Sequence, residues 1–391
     1  MTREFDEVVL RQGTDSLKWA KFSDEVMPLW VADMDFAAPE PIVKALARRI
    51  EQGVFGYAID LPELKSTVCE RLLERHGWEV SSEAIVLLPG LVTGLNVACR
   101  AIGTHGDGVL VNTPVYPPFL TAPANQGRQL QVAEQALTIR DGELYYEVDV
   151  DALEEVVTPE TRLFILCNPH NPTGRVFSRS ELEAQAELCA RHNIVICSDE
   201  IHCDLLLGDS KHVPIATLDP EIEAQTITLL APSKTFNIPG LGCSIAVIPD
   251  AALRARFKAA ARGIVPDVNV LGMYAALAAY SHCDQWLAEL REYLIENREY
   301  VVDFVKSHLP AIRTTRPEAT YLAWFDCRGL EVEEGPFRFF LKDAKVAFNN
   351  GADFGPGGEG FVRLNFGCPR STLRKALERM RKALEARASG S

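Results

Sequence analysis

Among its ten cysteines the sequence has no CxxC pair, and its basic residues are outnumbered, 40 Lys and Arg against 54 Asp and Glu, a net charge of −14. Cysteines such as Cys167 and Cys197 sit inside apolar runs, the usage of buried free thiols in a reducing cytosol rather than of a disulfide framework. The shortage of positive charge gives a mean field that repels phosphate. It argues against nucleic acid or an anionic membrane as the main partner, while leaving room for a local cationic pocket. No apolar segment approaches the length that spans a bilayer. The opening stretch MTREFDEVVLRQGTDSLKW is charged and lacks the apolar core of a signal peptide, so a cytoplasmic location is expected. Internal repeats and low-complexity linkers are missing. His202-Cys203-Asp204, and Cys189 with His192, carry ligand-type side chains without a strong zinc spacing, and no metal site is expected.

What is present is ordinary globular material, 47% hydrophobic and 24% charged over 391 residues, enough for two domains or one large and one small. Short apolar runs at Ile85–Leu88, Gly108–Asn112, Arg162–Cys167, Ile194–Cys197, Ile227–Leu230 and Ile245–Ile248 read as strands. Helical stretches alternate with them, among them Ser180–Arg191, where Ser180 and Glu183 have the spacing of a capping box. Continuously apolar strands alternating with helices imply an α/β fold with a mainly parallel sheet covered on both faces. After Val268 a long helix over Asp284–Ser307, strands near Tyr321–Asp326 and Gly360–Phe366, and a last helix from Ser371 suggest a smaller α+β domain.

In such sheets, sites form at the carboxyl ends of the strands. Lys234 follows the apolar run Ile227–Leu230 and is a candidate catalytic group, although a lone lysine is usually a surface charge. Asp199 follows IVICS. It is either a helix cap or loop ion pair, or a buried anion facing a cationic ring nitrogen. At about 4 Å and an effective dielectric near 20, such a pairing is worth about 4 kcal/mol, or about three pK units, enough to keep a pyridine nitrogen protonated.

The doubled Asn-Pro of NPHNPTG forces a rigid turn that can fix the Asn171 amide beside a ligand. Tyr116, between prolines, can offer a ring face to a planar cofactor or be a core tyrosine. Val92 and Thr93, after Pro89-Gly90, offer a phosphate the amide groups of a helix start. Arg363, among apolar neighbours in FVRLNFG, needs a partner, which is either a substrate carboxylate or a structural ion pair.

Taken in order, PGLVTG, PVYPPF, CNPHNPTGRVF, SDEIH, SKTFNIPG and FVRLNFGCPR resemble a fold-type I pyridoxal-phosphate enzyme of the class I/II aminotransferase superfamily, over essentially the whole chain. MPLWVADMDFAAPEPI with GVFGY, and SDEIH with SKTFNIPGL, are similar to the MalY/PatB group of carbon–sulfur β-lyases. The resemblance implies an aspartate aminotransferase-like fold with an arm over 1–45 contributing to the small domain, a large cofactor-binding domain over 46–285 and a small domain over 286–391.

It further implies that Lys234 holds pyridoxal 5'-phosphate covalently, with Asp199 at the ring nitrogen, Asn171 at the ring hydroxyl and Tyr116 stacked on the ring. Val92, Thr93 and Ser233 would hold the phosphate, Tyr57 would reach the phosphate of the neighbouring subunit of a homodimer, and Arg363 would bind the substrate carboxylate. His202 stands where many relatives have a tyrosine, and Gly242 where the common transaminase pattern has a phosphate-binding arginine. The implied reaction is α,β-elimination of cystathionine and related cysteine S-conjugates to pyruvate, ammonia and a thiol. An aminotransferase, or a regulatory cofactor-binding protein acting through a partner, are the alternatives.

Overall fold

The apolar runs become the middle of one sheet. In the computed structural model, which describes residues 4–330 and 332–390, the strands Ile85–Leu88 (β1), Gly108–Thr113 (β2), Gln129–Glu134 (β3), Thr161–Cys167 (β4), Val195–Asp199 (β5), Thr226–Leu230 (β6) and Ser244–Val247 (β7) form a seven-stranded sheet. Its order is β1-β7-β6-β5-β4-β2-β3. All neighbours are parallel except β7, which runs antiparallel to both β1 and β6. The edge strand β3 (QLQVAE) escapes the sequence pattern because it is half polar, with several side chains in solvent.

Alternation along the strands fills two cores. Val109, Ile165 and Ile227 pack with Leu95 and Phe257 on one face, while Leu110, Phe164 and Ile196 pack with Leu182 on the other. The helix Leu91–Ala101 (α1) lies close on the first face because Gly94 has no side chain; a Cβ there would come within 3.0 Å of Leu88 and 3.1 Å of Leu229. On the second face the helix Arg179–Arg191 (α2) starts two residues earlier than the spacing of Ser180 and Glu183 suggests. Its capping box is Ser178 with Glu181. Both pairs fit the same pattern, but Glu181 also binds Arg175 at 2.9 Å, and Glu183 pairs instead with Arg179 at 2.8 Å.

The 25-residue helix Asp284–His308 (α3) leads into a second, antiparallel sheet of Arg313–Thr314, Leu322–Asp326, Phe361–Asn365 and Asn349–Asn350, in that order. Its register sets Arg363 between Trp324 and Asn349. The N-terminal arm runs back to this region, where Met27–Pro28 pairs in parallel with Val346–Ala347. The last helix spans Arg370–Gly390. Among the described residues no helix is long and apolar enough to cross a membrane, and all ten cysteines are free.

Candidate active site

The parallel register puts Cys167 of β4 beside Asp199 of β5, and Asp199 beside Leu229 of β6. The carboxyl ends of three strands are therefore level, and the chain leaving them walls a cavity of about 360 Å³. Val92, Tyr116, Asn171, Asp199, His202, Ser233, Lys234 and Arg363 all line it. Thr93 lies one residue further along the first turn of α1. Tyr57 is fully exposed on the 53–60 segment and takes no part in the cavity of its own chain.

Lys234 follows β6 in the single-turn helix Pro232–Thr235, which points its side chain into the cavity rather than into solvent. Its Nζ donates to the carbonyl of Ala32 at 2.6 Å. Burial, aided by the Arg363 charge and opposed by Asp33 and Asp199, lowers its pKa to about 8. The lone-lysine reading thus gives way to an amine that is partly neutral near physiological pH.

Asp199 is 3% exposed. The amide of Ile201 donates to its Oδ1 at 3.1 Å, and no salt bridge to it forms among the described residues. Burial, with Glu200 adding to it and Lys234 opposing, pushes its pKa up to about 7. The carboxyl group thus lacks a full partner, faces the cavity, and holds its proton up to near neutral pH until a cation is placed beside it.

Arg363 is also buried. One guanidinium nitrogen, Nη1, donates to Asn171 Oδ1 at 2.9 Å; the other, Nη2, donates to the Trp30 carbonyl at 3.0 Å and to Asn349 Oδ1 at 2.6 Å. Its Nε is buried without a partner, and no carboxylate pairs with it among the described residues. Burial lowers its pKa to about 10, and it lies over the Phe354 ring at 5.0 Å. The structural ion pair considered from sequence is not what the arginine makes.

The doubled Asn-Pro divides its tasks. Asn168 Oδ1 accepts the Phe177 amide at 3.0 Å and closes the loop, which leaves Asn171 for the cavity. His202 is 2% exposed, and burial beside the Lys234 and Arg363 charges lowers its pKa to about 3, so it stays neutral. Gly242 also lines the cavity. Its φ of +53° is left-handed, and a Cβ there would lie 2.8 Å from the Pro89 carbonyl oxygen. An arginine could occupy this position only by moving the Pro89 turn.

The sequence marked an arm over 1–45 contributing to the small domain but not its part in the cavity. Trp30, Val31 and Ala32 form one wall of the cavity, and Asn237, inside SKTFNIPG, binds the backbone of Met34 and Phe36. The arm has no helical or strand period that would place it against the cavity; the motif MPLWVADMDFAAPEPI, which contains Trp30 to Ala32, and Asn237, three residues after Lys234, were the available signals.

A family model described as aminotransferase class I and II matches residues 24–380. The chain belongs to this family. Among class I and II relatives, it is 41% identical over 388 residues to cystathionine beta-lyase PatB of Bacillus subtilis (strain 168), with 97% of this chain and 99% of that protein covered. The solved structure of OvoB is 44% identical with a TM-score of 0.92, covering 97% of this chain and 98% of that one. Cystalysin from Treponema denticola, whose crystal structure contains a pyridoxal 5'-phosphate cofactor, is 34% identical with a TM-score of 0.93, covering 99% of this chain and 100% of that one. The seven-stranded sheet and the cavity at its strand ends are thus features of a class I and II aminotransferase fold.

Proposed function

We propose that this chain is a pyridoxal-phosphate-dependent carbon–sulfur lyase that eliminates thiol from cystathionine and related cysteine S-conjugates. The observation that carries the reading is the convergence of Lys234, Asp199 and Arg363 on one cavity. The residues fit the cofactor: a buried carboxylate without a salt bridge suits a cationic ring nitrogen, a partly neutral lysine suits the carbonyl, and the start of α1 with Ser233 suits the phosphate. Tyr116 and Asn171 would hold the ring, and neutral His202 would meet its edge as a hydrogen-bonding group rather than a charge. The left-handed Gly242 favours elimination over transfer, since the backbone there excludes the arginine typical of transaminases.

When bound, pyridoxal phosphate supplies an electron sink that acidifies the substrate's Cα proton. Arg363 would orient the α-carboxylate with its uncommitted N–H groups. The neutral Lys234 amine would take the Cα proton, and as an ammonium it would then stand beside the departing sulfur. The net reaction breaks the Cβ–S bond and consumes one water to give thiol, pyruvate and ammonia. Lys234, Arg363, Asp199, Asn171, Tyr116, His202, Val92, Thr93 and Ser233 carry these roles within the proposal.

A homodimer belongs to the same reading. Val54, Phe55, Tyr57 and Ile59 form an exposed apolar row, a surface that suits a second copy of the chain, from which Tyr57 would reach the neighbouring cavity. A domain division near 285 is supported by the separation of the two sheets, one within 85–247 and one within 313–365, an arm that joins the small domain by the pairing of Met27–Pro28 with Val346–Ala347, and a cytoplasmic location by the ten free thiols. The test is product analysis. Cofactor-loaded protein with cystathionine and S-alkyl cysteines should give pyruvate and thiol in equal amounts. Glutamate from an amino acid and 2-oxoglutarate, without thiol, would favour the aminotransferase reading instead.

A further inference from the structure

The arm that walls the cavity brings a second carboxylate toward the lysine. Lys234 Nζ is bonded to the carbonyl of Ala32, so the next residue, Asp33, follows directly behind that contact. The Asp33 carboxylate does not line the cavity. One of its oxygens, Oδ2, is held by Arg11 Nη2 at 2.6 Å; the other, Oδ1, is buried without a partner. Arg11 in turn bridges to Asp35 at 2.8 Å, and the buried Lys18 binds Asp35 at 2.8 Å. The arm is thus locked by an ion network whose one unpaired buried oxygen belongs to the acid nearest Ala32 in sequence.

We propose that Asp33, held by Arg11, is a positioning residue that sets how readily Lys234 gives up its proton. The role rests on the reading of Lys234 as the reactive amine. The charged or titratable groups that face that amine are Arg363 from the small sheet, Asp199 and His202 from the end of β5, Asp33 from the arm, and Tyr321, whose hydroxyl donates to the same Ala32 carbonyl at 2.9 Å and which burial keeps neutral. His202 stays neutral, as burial holds its pKa near 3. A cofactor ring nitrogen would engage Asp199. Asp33, next in the chain to the carbonyl that holds the amine and with one buried oxygen unpartnered, then remains as the anion opposing Arg363 and raising the lysine's basicity. Arg11 moderates that effect, because its guanidinium offsets the Asp33 charge.

Competitive acetylation of the full-length apoprotein with acetic anhydride, read at the Lys234 peptide across pH, measures the amine directly. Asp33→Asn should move the Lys234 midpoint down by about one pH unit, and Arg11→Gln should move it up by a smaller amount, the scale expected for loss or unmasking of one nearby charge. Opposite shifts are the signature, since a structural defect in the arm would move both variants the same way. Two shifts of one sign, or two unchanged midpoints, overturn the proposal. If Asp33→Asn fails to fold, Arg11→Gln alone decides it, an upward shift supporting and an unchanged or lowered midpoint refuting. In the loaded enzyme the acid limb of the kcat profile, which reports the substrate complex, should shift with the midpoint while KM for the thioether changes little. The labelling needs neither cofactor nor substrate, so a wild-type protein that forms no pyruvate would sink the lyase reading without touching this result.

Discussion

Asn237 holds the backbone of Met34 from both sides: its Oδ1 accepts the Met34 amide at 2.9 Å, and its Nδ2 donates to the Met34 carbonyl at 2.9 Å and to the Phe36 carbonyl at 2.7 Å. Together with the contact between Lys234 and Ala32, this joins the arm to the lysine segment at two points three residues apart. Asn237 adopts φ +54°, a conformation asparagine tolerates and most residues do not. Asn237→Ala should therefore cost about 2–4 kcal/mol, from unpaired backbone groups and the left-handed φ together. Asn237→Gly keeps the conformation and should lose about 1–3 kcal/mol. Urea denaturation of the two variants separates the terms, and kcat should fall in both as the wall of the cavity loosens.

Lys234→Ala should reduce pyruvate formation by at least about 10²–10⁴-fold, the usual worth of a general acid–base group. Chain stability should change little or rise, because a desolvated amine is removed. Thermal denaturation of the apoprotein beside a pyruvate assay checks both statements.

Asp199 makes the apoprotein's stability depend on pH. Its folded pKa, about 7, is above the ordinary value of 3.8, so the folded state holds the proton more tightly than the unfolded chain. The contribution is complete below about pH 4 and is lost as pH rises through 7, worth up to about 4 kcal/mol. Melting curves of the cofactor-free protein should show Asp199→Asn gaining on the wild type between pH 4 and 7. An unchanged difference across that window would contradict the burial of an unpaired carboxylate.

Lys234 acts in the other direction. Its folded pKa of about 8 is below the ordinary 10.5, so the unfolded state binds more protons between these values and stability rises with pH across that window. The rate of elimination should climb through pH 8 as the amine becomes neutral. A kcat profile at saturating S-alkyl cysteine, which reports the substrate complex in which the amine is free, reads the ascending limb.

Gly242→Ala should destabilise the protein by about 1–3 kcal/mol, since it adds a Cβ at 2.8 Å from the Pro89 carbonyl in a left-handed conformation. Gly242→Arg should cost at least as much and should not create transaminase activity, because the Pro89 turn that precedes α1 has to move. Cofactor retention on dialysis and glutamate formation from 2-oxoglutarate measure the two outcomes.

Much of this site was legible in the chain because strand ends are marked by local chemistry. Apolar runs stop abruptly at Asn168, Asp199 and Lys234, and an α/β sheet collects its strand ends on one edge, so residues scattered over almost seventy positions of sequence from Asn168 to Lys234 were expected to meet. The capping box could be misread by two residues because Ser178 and Ser180 satisfy the same spacing; the tie is broken by Arg175, whose pairing with Glu181 is not visible in a linear pattern.

The sequence by itself determined the alternation of strands and helices, the edge at which a site forms and the residue types that do chemistry there, all of which follow from periodicity and side-chain character. Tertiary structure decided how those residues are charged and held. Arg363 proved to have amides and carbonyls rather than an acid for partners, the arm without period proved to be a wall of the cavity, and Gly242 proved to lie against Pro89. These depend on distances across long stretches of chain and on loss of water around buried groups, neither of which is encoded in the spacing of neighbours.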